Sequence, residues 1–88
     1  MTTQLVHVGF GDYIAANRIL AVIRPGSAPV RRLLEEAERR SQLVDVTHGR
    51  KTKAVLLLDS GHLVLAAIQP ETVAGRLMSQ TEADATDE

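Results

Sequence analysis

The chain has 88 residues, 44% of them hydrophobic, and a net charge of −1, which suits one folded domain and excludes a disordered chain. It contains no cysteine, which excludes a disulfide framework, a thiolate zinc site, an iron–sulfur cluster and a cysteine nucleophile. The longest apolar runs are five or six residues, far short of a membrane span, and MTTQLVHVG lacks the order of a secretory signal, so a cytoplasmic protein with no membrane partner is expected.

Leu5 to Phe10 alternates in hydrophobicity and predicts a strand, closed by the turn Gly9-Phe10-Gly11-Asp12. A short strand over Tyr13 to Ala16 follows, then a bend at Asn17-Arg18. Ile19 to Ile23 is a β-branched apolar run stopped by Pro25-Gly26. As a regular strand it would put Arg18 and Arg24 on one face.

Ser27 opens the clearest element. Its side chain can cap a helix, and Pro29 is tolerated in a first turn whose amides have no partner. Val30, Leu33, Leu34 and Ala37 then form the apolar stripe of an amphipathic helix reaching about Ser41. Its outer face offers the pairs Arg31–Glu35, Arg32–Glu36, Glu35–Arg39 and Glu36–Arg40 at helical spacing, so these four arginines are expected to be neutralised locally.

Leu43 to Thr47, Lys53 to Leu58 and Leu63 to Ile68 predict three further strands, the last two joined by a turn at Asp59-Ser60-Gly61-His62. Both hairpin strands are apolar on two faces, which places them centrally in a sheet or against another subunit. Glu71 to Met78 predicts a short helix. Gln80 to Glu88 holds four acids and no base and is expected to be a disordered acidic tail after a single domain over residues 1–79. The fold class is thus α+β: a small, mostly antiparallel sheet of about five or six short strands, one amphipathic helix and a short C-terminal helix. With Phe10 and Tyr13 as the sole aromatics and no disulfide, so small a core calls for association with other copies.

Chemistry for catalysis is thin. His7, His48 and His62 show no ligand spacing, Gly9-Phe10-Gly11 lacks the third glycine of a dinucleotide fingerprint, and Gly49-Arg50-Lys51-Thr52 lacks the order of a phosphate loop. No enzyme, cofactor, metal or small-molecule substrate is expected. Charge is more informative: Asn17 to Lys53 holds nine bases against four acids, a net +5. Gly49-Arg50-Lys51-Thr52-Lys53 puts three cations in four residues on a glycine-led bend with no acid inside it. Such a bend could contact phosphates, and Arg50 could also fork onto guanine. It could equally be a solubilising loop guarding the apolar strand that follows.

Val8-Gly9-Phe10-Gly11, Ala16-Asn17-Arg18-Ile19, Ser27-Ala28-Pro29, Val44 to Arg50, Lys53-Ala54-Val55 and Gln69-Pro70-Glu71-Thr72-Val73 occur in the order of the RemA family of bacterial extracellular-matrix regulatory proteins, and the chain resembles that family from Leu5 to Met78. The resemblance implies a small cytoplasmic, nucleoid-associated protein that binds double-stranded DNA and activates transcription, notably of biofilm-matrix operons. It also implies a homo-oligomeric ring whose subunits resemble LytTR-type DNA-binding domains. The basic positions linked to DNA in the family match Arg18 and the pair Arg50-Lys51, with Lys53 at the edge of the same expected patch. Lys51 and Lys53 stand where the family has arginines, and His48 where a tyrosine is common; lysine keeps phosphate attraction but loses the planar fork. Two other functions stay open at the level of sequence: a structural or protein-interaction ring without DNA binding, and RNA binding. The scarcity of aromatics weighs against stacking on single strands.

Overall fold

The two runs that are apolar on both faces dictate the architecture. In a computed structural model that describes residues 4–86, Ala54–Leu58 (β5) and Leu63–Ala66 (β6) pair antiparallel at the centre of a four-stranded sheet. Ile19–Ile23 (β3) adds antiparallel to β5 at one edge, and Leu43–Asp45 (β4) adds parallel to β6 at the other. Leu5–His7 (β1) and Tyr13–Ala15 (β2) form a separate two-stranded hairpin. The expected α+β class and predominantly antiparallel pairing both hold.

Alternation along β5 and β6 divides the core between two faces. Val55 and Leu63 are buried beneath the helix Ala28–Arg39 (α1), with Ala37, Val30 and Leu34 packing onto them. Leu56 and Val64 are buried on the opposite face with Val6 and Val8 of the N-terminal segment and Val73 of the C-terminal helix Pro70–Thr86 (α2). Covering both faces explains why neither strand needs a polar side; each fully buried aliphatic side chain is worth about 1.5–3 kcal/mol. Arg76 of α2 donates to the His7 carbonyl at 2.6 Å, tying the helix to β1.

Local signals set the helix ends. Ser27 Oγ accepts from the Val30 amide at 3.3 Å with proline in the first turn, as predicted. Of the expected surface pairs, Glu36–Arg40 forms, and others differ. Glu36 is held by both Arg39 and Arg40, the latter at 2.9 Å, so it is not shared with Arg32, and Arg31 instead donates to the Gly26 carbonyl at 3.4 Å. Both oxygens of Glu36 thus turn to cations on the last turn, where positive charge suits the helix dipole. The Arg39 hydrogen bond, more than Arg40, keeps the Glu36 carboxyl below the usual glutamate range.

Two further expectations are corrected. The β3 ladder shifts register between Ile19 and Ala21, a bulge at Leu20, whose residue is 65% exposed. Ile19 and Val22, three apart, therefore share the Leu56 face, and the alternation that would have aligned Arg18 with Arg24 is broken. The C-terminal helix also overruns its predicted end. Backbone 79–86 continues α2 beyond Met78, and no glycine or proline follows Gly75 to stop it. Asp87 and Glu88 lie outside the described residues.

Candidate nucleic-acid interface

Register fixes which loops meet. β5 starts where β3, β4 and β6 end, so one end of the sheet gathers Arg24 after β3, the Thr47–Lys53 loop after β4, and Gln69 before α2. The Gly9-Phe10-Gly11 turn after β1 docks on the same loop.

The docking is specific. Gly9, Phe10 and Gly11 all have positive φ, at 105°, 55° and 84°, and the turn closes through Asp12 N donating to Gly9 O and Val8 N to Asp12 O. Glycine suits position 9 because of its φ, and a Cβ there would also press on Ile68 Cγ2 at 3.3 Å, a tight contact. The opposing loop is built alike: His48 and Gly49 have φ of 55° and 83°, and Arg50 N donates to Thr47 O at 3.1 Å. Two left-handed residues in succession reverse the chain and present Arg50 to the first turn. Its Cζ lies 3.9 Å from the Phe10 ring centroid, a cation–π stack, and His48 Nε2 donates to Asp12 Oδ2 at 2.6 Å.

Asp45 anchors the start of this loop. Its Oδ1 accepts from the Thr47 hydroxyl at 2.6 Å and the Thr47 amide at 2.8 Å. Those bonds, the hydroxyl first, hold the Asp45 carboxyl below the usual aspartate range. Thr47 is 3% exposed, so this contact satisfies a buried hydroxyl.

Of the four basic residues predicted as a site, the structure brings three together. Arg50, Lys51 and Lys53 are all exposed on this loop, and neither lysine ammonium has an ion-pair or hydrogen-bond partner among the described residues. Arg18 is elsewhere. It precedes Ile19, which pairs with Leu58, whereas Lys53 precedes Ala54 at the opposite end of β5. About 16 Å of strand separates the two ends. There Arg18 Nε faces Asp59 Oδ1 at 3.3 Å, and Asp59 N donates to the Arg18 carbonyl at 2.8 Å. Within one chain the four residues expected to form a single patch therefore fall at two separate places, because the strand pairing that joins Arg18 to Asp59 carries it away from the loop.

The structure adds residues that the pattern did not single out. Phe10 is the platform for Arg50, and Asp12 is the partner of His48. Arg24, Pro25, Thr52 and Gln69 line an open cleft of about 250 Å³ with Lys51 and Lys53. An aromatic flanked by two glycines in a polar turn was the available hint for Phe10; Arg24 and Gln69 were visible only as a strand-end arginine and as part of a motif, with nothing local to join them to the basic loop. The three histidines do not converge. His7 lies 5.1 Å from the Tyr13 ring, His48 bonds Asp12 and His62 bonds Ser60, and among the described residues no group of carboxylates and histidines is placed to hold a metal ion.

Comparison with known proteins agrees with these motifs. The RemA-like family, described as extracellular matrix regulatory protein A-like, matches residues 5–77. A relative from Synechococcus elongatus is 56% identical over 79 residues, covering 90% of this chain and 91% of its own length. One from Thermoanaerobacter is 50% identical over 82 residues, covering 93% and 85%, and one from Acaryochloris marina is 48% identical over 87 residues, covering 99% of both chains. Each is called a regulatory protein by name alone, which supports a regulatory role here. A match from the start of β1 into α2, on a chain whose two glycine-led turns interlock as described, places this protein in the RemA-like family.

Proposed function

We propose that this protein is a transcriptional regulator that binds double-stranded DNA through the basic end of its sheet and does so as an oligomer of several copies. The observation that carries the reading is the Arg50-Lys51-Thr52-Lys53 segment. It is fixed by two left-handed residues and the Phe10 stack, yet its two lysines face solvent without a counter-charge. A rigid, uncompensated run of cations suits the phosphate backbone, where most protein–DNA hydrogen bonds fall. Arg50 retains the planar fork for guanine, while Lys51 and Lys53 supply point charge. Arg18 forms a second contact point, and a 16 Å offset matches about five phosphates along one strand.

Duplex DNA is favoured over single-stranded nucleic acid because the aromatic surface is small. There are only two aromatics, and they are engaged apart from each other, Phe10 with Arg50 and Tyr13 with His7, so they form no row on which successive bases could stack. Association is favoured by exposed apolar side chains: Leu5, Tyr13 and Met78 are each more than half exposed, as is Leu20 on the β3 edge. A few cations per copy bind weakly, and repeating them on each subunit multiplies that affinity without new contacts. In this reading the protein works in the cytoplasm at the nucleoid, as an activator of extracellular-matrix genes in biofilm formation.

The test is a mobility-shift titration on duplex DNA across salt concentrations, paired with light scattering. The expected result is an assembly several times 9.5 kDa that binds with a steep inverse dependence on salt. A clean monomer, or no duplex binding at low salt, would overturn the proposal. An assembly that forms without binding duplex would favour a purely structural ring.

A further inference from the structure

The cleft beside the basic loop is put together from three distant parts of the chain. Arg24 comes from the end of β3, Lys51, Thr52 and Lys53 from the loop before β5, and Gln69 from the turn before α2. Its volume of about 250 Å³ is below the roughly 300–1,000 Å³ of pockets for drug-sized ligands, and it opens to solvent, so it suits one small anionic group and not an organic cofactor. Three cations line it and, among the described residues, no carboxylate does; one carboxylate reaches it only through Arg24. That carboxylate is Glu71 on the first turn of α2, which pairs with the Arg24 guanidinium. Both side chains are well exposed, at 68% and 63%, so their attachment is a weak surface pair and exchanges readily.

We propose that Arg24, Lys51 and Lys53 form a seat for one phosphate group, with Thr52 and Gln69 as further hydrogen-bonding partners, and that Glu71 occupies Arg24 in the free protein as an internal stand-in for that phosphate. The chemistry is an exchange of one acceptor for another. A phosphate oxygen replaces the Glu71 carboxylate on the Arg24 fork, while the lysines supply charge that Glu71 alone does not balance. Glu71 then turns to water and stays favourably placed at the helix N-terminus. The inference rests on the reading that this end of the sheet faces DNA. It adds Arg24 to the contact surface and gives Glu71 the role of a competitor that sets affinity.

The experiment uses the full chain and two probes, inorganic phosphate followed by amide NMR shifts and duplex DNA followed by mobility shift across salt. Glu71→Gln should tighten both by about three- to fivefold, the worth of an exposed ion pair. Arg24→Gln should weaken both and flatten the DNA salt slope by about 0.9 for each seated phosphate. In an Arg24→Gln background, Glu71→Gln should have little further effect, whereas a general charge effect would persist undiminished and overturn the proposal. Melting temperatures near wild type show that the variants fold, as expected for an exposed pair. If Lys51→Ala flattens the slope while Arg24→Gln and Glu71→Gln change neither probe, the seat is refuted and the DNA reading stands. If duplex binding is absent but inorganic phosphate shifts the Thr52 and Gln69 amides in an Arg24-dependent way, the seat is upheld for a free phosphate ligand and the DNA reading falls.

Discussion

Replacing Phe10 by alanine tests whether the platform under Arg50 holds the basic loop in place. Phe10 is 44% exposed, so it buries rather more than half of a side chain whose full burial is worth about 1.5–3 kcal/mol. The remaining hydrophobic loss is about 1 kcal/mol, and the Arg50 stack adds about 0.5–1 kcal/mol at such a site. Phe10→Ala should therefore cost about 2 kcal/mol, lowering Tm by about 10 °C in a domain of this size. The decisive measurement is a double-mutant cycle by urea unfolding, with Phe10→Ala, Arg50→Ala and the pair compared at one protomer concentration. The double variant should lose about 0.5–1 kcal/mol less than the two singles summed. Losses that add to within about 0.3 kcal/mol would refute the stacking argument. Phe10→Leu then isolates function: it keeps apolar bulk, removes the ring and frees Arg50, so duplex affinity should fall by up to about tenfold from the entropy of fixing the side chain.

Arg50→Ala should nearly abolish duplex binding while light scattering still finds the oligomer, and Lys51→Ala should weaken all sequences alike and flatten the salt slope. Arg39→Ala is the control, because Arg39 is tied to Glu36 on α1; binding lost there as heavily as with Arg50→Ala would mean that the helix faces DNA. Thr47→Val removes the hydroxyl that holds Asp45 low and should cost about 1–2 kcal/mol near neutral pH. Since the Asp45 carboxyl is depressed in the folded state, its contribution is present above the ordinary aspartate range and is lost as pH falls through the lowered value. Melting temperature followed on acidification should thus fall more steeply for wild type than for Thr47→Val, and parallel curves would sink this account. Leu56→Ala empties a fully buried site between β5 and α2 and should cost about 2–5 kcal/mol by chemical denaturation. A loss under 1 kcal/mol would show that the core collapses around the gap.

Much of this protein is legible locally. The apolar spacing from Val30 to Ala37 and the Ser27 cap define α1, and the unbroken apolar runs around Val55 and Leu63 define a hairpin buried on both faces, because helix periodicity, capping and two-sided burial depend on neighbours in the chain. The exposed cations at Arg50, Lys51 and Lys53 are equally visible, since a charge run without nearby acids needs no fold to be recognised. The bulge at Leu20, the added hold of Arg39 on Glu36, and the continuation of α2 depend on which of several permitted local arrangements the packing selects.

The site itself was divided by tertiary structure. Arg18 stands beside Asp59 because β3 runs antiparallel to β5, and that pairing puts the two ends of one predicted patch at opposite ends of a strand. The same pairing brings Arg24 next to Lys51 and Lys53 and within reach of Glu71, 47 residues later in the chain. Phe10 meets Arg50 only because two separate left-handed turns, one after β1 and one after β4, close on each other. Residue identity specifies which charges and turns exist. Which of them become neighbours is settled by long-range strand register, which no local pattern encodes.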